Sequence, residues 1–300
     1  MITVTISRDE LYENVYASDD VKIVQWDCLS KPPVPYEDID MVVVPFAVKP
    51  KHVENINKCP NLKLVQTASV GYDALKGTLN KGVRVANMQG FNADATSELA
   101  VTLLLAYLRD VPEFVRNQER SKWVYKQSDT LAEKKVLLLG AGDIGSEVAR
   151  KLEAFDAHVT KMARTARGDI LAIEDLAQQV PLHDILFIML PLTDETRSLI
   201  DASILAKIPD GGIIVNAGRG PIVKTDDLIA ELETGRISAV FDVVDPEPLP
   251  QDSPLWKMKN VLFTPHVAGD TKLTQKRAVA ILDRQIDALS KGNKIINIVL

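Results

Sequence analysis

Lys134-Lys135-Val136-Leu137-Leu138-Leu139-Gly140-Ala141-Gly142-Asp143-Ile144-Gly145 constrains the fold of this chain more than any other stretch. Two lysines lead into an apolar run too short for a buried helix and of the right length for a buried parallel strand. A Gly-x-Gly-x-x-Gly follows, and Ser146 to Leu152 then reads as an amphipathic helix. The three glycines have separate tasks: Gly140 permits a tight turn, Gly142 lets the backbone approach a pyrophosphate, and Gly145 lets the helix pack closely on the strand. The helix N-terminus adds unpaired N–H groups and a partial positive charge for the phosphates. Glycines also gather in ordinary turns, but the strand before and the helix after are the context of a dinucleotide-binding loop.

Three hundred residues exceed most single hydrophobic cores and predict two domains. The net charge of −6 argues against a nucleic-acid footprint and disfavours an anionic membrane surface, so an anionic substrate needs local positive charge from particular arginines. Cys28 and Cys59 form no C-x-x-C pair and no disulfide framework, which fits a reducing compartment. The chain starts at once with the alternating strand Ile2–Ile6 rather than a signal peptide, and the apolar stretch Ala100–Leu108 is too short to span a bilayer. A cytoplasmic protein with no metal site is expected.

Five strand candidates occupy the first part: Ile2–Ile6, Val21–Trp26, Met41–Pro45, Leu62–Thr67 and Val83–Asn87. Six more follow: Val136–Gly140, His158–Ala163, Ile185–Leu190, Gly212–Ala217, Ser238–Val244 and Val261–Pro265. Strands alternating with helices predict parallel sheets covered on both faces. Asn92–Glu119 is read as mostly helical, capped by Thr96 or Ser97, apolar on more than one face and therefore buried. It crosses from the first domain to the second, and a helix over Leu273–Leu289 returns the chain. The expected class is α/β with two doubly wound parallel-sheet domains, a Rossmann cofactor domain (97–269) inserted into a flavodoxin-like substrate domain (1–96 with 270–300).

Ligands in open α/β sheets bind outside the carboxyl ends of the strands. A conventional NAD site has an acid at the end of the second cofactor strand, but here that strand ends in Ala163-Arg164-Thr165-Ala166-Arg167. A guanidinium pairs bidentately with phosphate, and the missing acid removes repulsion against a 2′-phosphate. Arg164, Thr165 and Arg167 therefore predict NADP(H) rather than NAD(H), against the alternative of solvated loop arginines. Arg219, after the fourth cofactor strand, is placed as a catalytic cation. Of the four histidines only His266 follows a strand's carboxyl end, which favours it as general acid/base.

With Ser69-Val70-Gly71-Tyr72-Asp73, Gly140–Gly145, Pro191-Leu192-Thr193 with Thr196, Asn216–Gly220, Asp242–Pro248 and Thr264–Gly269 in this order, nearly the whole chain resembles the D-isomer-specific 2-hydroxyacid dehydrogenases. The resemblance implies that Arg219 binds the substrate carboxylate and keto oxygen, that His266 donates the proton, and that Glu247 holds the other imidazole nitrogen. It implies that Ser69 lies in the substrate loop, where the N–H groups of Val70 and Gly71 hold the carboxylate. Asp242 would hold the nicotinamide carboxamide. Asp143, Ile144, Pro191, Thr196 and Ala217 would border the cofactor beside Gly140, Gly142 and Gly145. It further implies binding in a cleft between domains, with hinges near Asn92–Ser97 and Ala268–Thr271, and a homodimer through the cofactor domain.

The arginines after the second cofactor strand depart from many family members and make the chain similar to the NADPH-preferring glyoxylate/hydroxypyruvate reductases. The chain stops without the appended regulatory domain of long phosphoglycerate dehydrogenases, so a feedback-regulated enzyme of that kind is not expected. The reading is an NADP(H)-preferring reductase of small 2-keto acids, with NAD(H) use possible. A D-lactate-type dehydrogenase for bulkier 2-keto acids is one alternative. A dinucleotide-sensing protein like the family's corepressors is another.

Overall fold

A computed structural model describes residues 1–16 and 18–300. The chain divides into two compact units, Met1–Phe91 with Asp270–Leu300 and Asn92–Gly269. The first boundary therefore falls at Phe91, not after residue 96, and the long helix that follows buries Ala100, Val101, Leu103, Leu104 and Leu108 in the core of the second unit.

In the first unit the elements are β1 (Ile2–Ile6), α1 (Asp9–Tyr12), β2 (Val21–Gln25), β3 (Met41–Val43), α2 (Pro50–Ile56), β4 (Leu64–Gln66) and β5 (Arg84–Ala86). The strands form one parallel sheet in the order β2-β1-β3-β4-β5, the flavodoxin-like order. Val4 and Ile6 turn to one face, and Val42 and Val44 to the other, each in its own apolar cluster. Side chains alternate across a strand, so burial on both faces needs apolar residues at consecutive positions. Four of the five expected strands are shorter than the apolar runs that announced them. The strands end early at the carboxyl edge, although the Val44 and Thr67 N–H groups still donate to the Gln66 and Ala86 carbonyls of the neighbouring strands, and Val44 stays buried.

The second unit opens with α3 (Ala93–Leu108) and α4 (Val111–Glu119). The single helix expected over Asn92–Glu119 is broken at Asp110, whose φ of +54° ends the helical path before Pro112. Nor does Thr96 or Ser97 cap it. Asn92 takes that place, and the Ser97 hydroxyl donates back to the Ala93 and Asp94 carbonyls, as a hydroxyl inside a helix does.

Then come β6 (Lys135–Leu139), α5 (Asp143–Glu153), β7 (His158–Ala163), β8 (Leu171–Ala172), α6 (Leu176–Gln179), β9 (Ile185–Ile188), α7 (Ala202–Leu205), β10 (Ile213–Asn216), α8 (Thr225–Glu233), β11 (Ser238–Phe241) and β12 (Val261–Phe263). They build a seven-stranded parallel sheet in the order β12-β11-β10-β9-β6-β7-β8. The six expected strands are joined by β8, two residues paired to the end of β7, too short to carry a periodic signal. β6 is central: Val136 and Leu138 enter one cluster, Leu137 and Leu139 the other, and all four are fully buried. Burial of each such side chain contributes roughly 1.5–3 kcal/mol. The switch point lies between β6 and β9, where connections leave to opposite sides and open a crevice at the carboxyl edge.

The chain then returns to the first unit as α9 (Lys272–Ser290), capped by Thr271 through the Thr274 N–H. Its buried Ala278, Ile281, Leu282 and Ile286 cover the sheet face that carries Val4 and Ile6. Buried Gln285 bonds Gln66 and both backbone groups of Ile296, which seats the C-terminal strand segment beside β5. Among the described residues no helix is long and apolar enough to cross a membrane.

Candidate active site

At the switch point, the loop after β6 is shaped by its glycines. Gly140 has φ +114°, and a Cβ there would lie 2.6 Å from the Met189 carbonyl oxygen. A Cβ on Gly145 would lie 2.0 Å from the Gly140 carbonyl oxygen, so helix α5 approaches the strand as closely as backbone allows. Gly142 differs: its φ of −88° suits any residue, and a Cβ would meet nothing within 4 Å. No protein atom requires glycine there, whereas a backbone-contacting ligand does. The Ile144 and Gly145 N–H groups have no acceptor among the described residues, as expected at a helix N-terminus. The cradle therefore fits the pyrophosphate of a dinucleotide.

Two substitutions separate these roles. Gly142→Ala is expected to leave thermal stability within about 0.5 kcal/mol and weaken dinucleotide binding at least about tenfold. Gly145→Ala is expected to destabilise the fold by roughly 1–3 kcal/mol, because only backbone can give way. Thermal melts and cofactor titrations of both variants check the pair.

Beyond β7, Arg164, Thr165 and Arg167 are exposed. Arg167 Nη2 donates to the Ala141 carbonyl at 3.3 Å, which brings its guanidinium to the glycine loop. On the other side of the crevice, the loop after β9 is tied by Thr196, whose hydroxyl accepts from the Thr193 N–H at 2.8 Å and donates to the Pro191 carbonyl at 2.7 Å. That hydroxyl is spent on the loop's own shape.

After β10, Ala217 is buried and Arg219 stands between two glycines that packing requires. A Cβ on Gly218 would lie 2.8 Å from the Leu190 carbonyl oxygen, and one on Gly220 1.9 Å from that of Val244. Asn216 brackets the turn, accepting from the Gly218 N–H and donating to the Arg219 carbonyl, both at 3.0 Å. The Arg219 guanidinium donates to the Gly218 carbonyl at 2.8 Å.

His266 follows β12 with φ +56°, an uncommon conformation for a side chain of its size. Asp242, 2% exposed, holds it there. The His266 N–H donates to the Asp242 carbonyl at 2.8 Å, and the Val267 and Ala268 N–H groups each donate to the Asp242 carboxylate at 3.0 Å. Thr264 Oγ1 adds a fourth bond at 2.6 Å. The carboxylate expected to face a nicotinamide is thus already the anchor of the histidine loop. Asn216 and Thr264 carry positioning roles that sequence reasoning missed; an Asn two residues before a glycine at a strand end was the available signal for the first.

His266 Nδ1 lies 2.8 Å from Glu247 Oε2, and Glu247 Oε1 accepts from the Val244 N–H at 3.2 Å. Burial opposes ionisation of Glu247, but its bond to His266, the His266 charge, the Val244 N–H and the Arg219 charge together hold it below the usual glutamate value. The pair engages Nδ1 and so fixes the orientation of the ring. Arg219, Glu247 and His266 thus form one constellation at the carboxyl ends of β10, β11 and β12.

The first unit holds the other predicted residues. After β4, the Ser69 carbonyl accepts from the Met88 N–H at 3.1 Å, that of Val70 from the Asn87 side chain at 2.8 Å, and that of Gly71 from the Ser69 hydroxyl at 3.1 Å. The Val70 and Gly71 N–H groups donate to no described residue. A loop with its carbonyls occupied and adjacent N–H groups unspent is suited to an anion. Of the remaining histidines, His52 accepts from the Lys49 N–H in a helix cap, and His183 bonds the Gln179 carbonyl and Thr160. Among the described residues no group of three His, Cys, Asp or Glu could hold a metal ion.

Comparison with known proteins agrees with this geometry. The sequence model of the D-isomer specific 2-hydroxyacid dehydrogenase NAD binding domain matches residues 101–268. A glyoxylate reductase of Aeropyrum pernix is 35% identical over 264 residues, covering 81% of this chain and 78% of its own length. A glyoxylate reductase/hydroxypyruvate reductase of Mus musculus is 31% identical over 279 residues, covering 85% and 84%. The structure of a D-isomer specific 2-hydroxyacid dehydrogenase from Xanthobacter autotrophicus, in complex with NADPH and MES, superposes with a TM-score of 0.82 at 29% identity, covering 99% of this chain and 98% of that one. With its Rossmann sheet, its glycine cradle and its Arg–Glu–His constellation, this chain belongs to the D-isomer specific 2-hydroxyacid dehydrogenase family.

Proposed function

We propose that the protein is an NADPH-preferring reductase of small 2-keto acids of the glyoxylate and hydroxypyruvate type, yielding D-2-hydroxy acids. The observation that carries the reading is the 2.8 Å His266–Glu247 pair on the same strand edge as Arg219, the parts needed to polarise and protonate a carbonyl. The relatives named as glyoxylate and hydroxypyruvate reductases support the substrate class.

When bound, the nicotinamide dinucleotide supplies a hydride to the carbonyl carbon. Arg219 orients the carboxylate and keto oxygen and stabilises the charge that develops on that oxygen. His266, held at Nδ1 by the carboxylate of Glu247, gives its Nε2 proton to the oxygen. The Val70 and Gly71 N–H groups are the proposed cradle for the substrate carboxylate. Asp242 keeps His266 in register through the four bonds above, besides any contact to the carboxamide.

The preference for NADPH rests on Arg164 and Arg167. Each charge-assisted hydrogen bond to a 2′-phosphate contributes about 1.5–3 kcal/mol, so the double variant Arg164→Ala/Arg167→Ala, which removes two, is expected to weaken NADPH binding about 10²- to 10⁴-fold. NADH binding should change little. Initial rates with both cofactors test the reading as a whole: wild type should turn over glyoxylate and hydroxypyruvate faster with NADPH, and NADH favoured by a wide margin would sink the preference.

A homodimer through the second unit is part of the proposal. Val111 and Val115 on α4 are exposed, and Trp123 and Tyr125 just beyond it stand almost wholly in solvent. Large apolar side chains concentrated in one segment mark an association surface. The buried free thiols Cys28 and Cys59 support a reducing, cytoplasmic setting.

A further inference from the structure

The loop that carries the two phosphate-binding arginines contains one carboxylate, Asp169, and the structure accounts for where its charge goes. The Arg167 N–H donates to the Ile170 carbonyl at 3.0 Å and the Ile170 N–H returns to the Arg167 carbonyl at 2.9 Å, closing a two-residue turn over Gly168 and Asp169. Gly168 has φ +56° while Asp169 stays out of the positive-φ region, the arrangement of a type II′ turn, which favours glycine at its first position. The turn is fixed at both ends, by the Arg167–Ala141 bond on one side and by the pairing of β8 with β7 on the other.

From this turn the Asp169 carboxylate points to Lys161 on β7, with Oδ2 and Nζ 2.7 Å apart. Asp169 is 75% exposed and Lys161 26% exposed, and an ion pair so open to water adds little to stability. Its consequence is electrostatic. A carboxylate two residues from Arg167, left to itself, would pair with a neighbouring guanidinium or repel an incoming phosphate. The Lys161 bond, with the turn's own N–H, also holds the Asp169 carboxyl below the usual aspartate range, so it carries its negative charge at neutral pH.

We propose that Lys161 is a cofactor-specificity residue: by holding Asp169 away from Arg164 and Arg167, it keeps both guanidiniums available to the 2′-phosphate of NADP(H). Lys161 acts through the charge it withdraws and is a positioning residue, not a catalytic one. The inference rests on the NADPH reading above and adds to it a residue on the strand itself, outside the arginine loop.

The test is fluorescence titration of NADPH and NADH, without keto acid, on wild type, Lys161→Met, Asp169→Asn and the double variant. Lys161→Met is expected to raise the Kd for NADPH about three- to tenfold, the scale of one additional charge near the surface, and to leave that for NADH unchanged. Asp169→Asn alone should bind NADPH as tightly as wild type or more so. The double variant should recover wild-type affinity, because no carboxylate remains to be held. An unchanged Kd in Lys161→Met overturns the proposal. So does a double variant as weak as Lys161→Met, since Lys161 would then act by its own charge. Wild type binding NADH as tightly as NADPH would show before any substitution, and would remove the arginine clamp together with the role of Lys161.

Discussion

Replacing His266 by alanine is expected to lower kcat for keto-acid reduction by about two to four orders of magnitude while the Kd for NADPH stays within about twofold. His266 is the residue of the constellation placed to give a proton to the keto oxygen, and its Nδ1 is committed to Glu247 at 2.8 Å. Its φ of +56° could confound the result, because alanine tolerates that conformation poorly. His266→Asn accepts it more readily and lacks the proton donor, so it should lose as much activity with less disturbance of the loop. Turnover retained in the asparagine variant would remove His266 from the mechanism. The same assignment fixes a pH trend: reduction consumes the imidazolium proton and should slow as pH rises, whereas oxidation needs the neutral ring and should accelerate. Parallel trends in the two directions would contradict it. Glu247, held ionised below its usual value, keeps the pair intact toward acid. In Glu247→Gln the counter-charge is gone, and kcat for reduction should fall while NADPH binding stays unchanged.

Arg219→Met should lower kcat/KM by about 10²- to 10³-fold, the scale for loss of one donor to a developing oxyanion. Part of the loss should appear in KM, because the same guanidinium is proposed to hold the carboxylate. Arg219→Lys discriminates further. Lysine keeps the charge but lacks the planar fork, so it should recover only a small part of the activity. Full recovery would mean that Arg219 acts as a point charge and that the two-point contact is wrong. Dichroism of both variants should match wild type, since Asn216, Gly218 and Gly220 set the turn and the arginine side chain adds one bond, to the Gly218 carbonyl.

Much of this site could be read from residue order because backbone chemistry writes itself into sequence. Gly140 and Gly145 are glycines because a carbonyl oxygen occupies the place of a Cβ, and Gly142 because the cradle is open. The strands announced themselves by apolar runs buried on both faces, but their ends did not. Leu190 remains buried two residues after β9 ends, so hydrophobicity overruns the strand. The break at Asp110 depends on one left-handed residue inside a helical pattern, which composition cannot reveal. β8 escaped notice because two residues have no period. The role of Asp242 was half legible: its place after β11 marked it, but the four bonds that hold His266 come from residues up to Ala268. Thr196 shows the same limit, since its hydroxyl also closes its own loop, a bond that residue order does not announce.

The most direct measurement of the central claim is the product formed when the purified protein is incubated with NADPH and hydroxypyruvate. D-glycerate, equal in amount to the NADPH oxidised and formed at about one turnover per second or more, is the predicted result. Formation of L-glycerate would contradict the proposed placement of His266 and Arg219 about the carbonyl. Tight NADPH binding with no product from hydroxypyruvate or glyoxylate would contradict the catalytic reading itself and leave a dinucleotide-binding protein in its place.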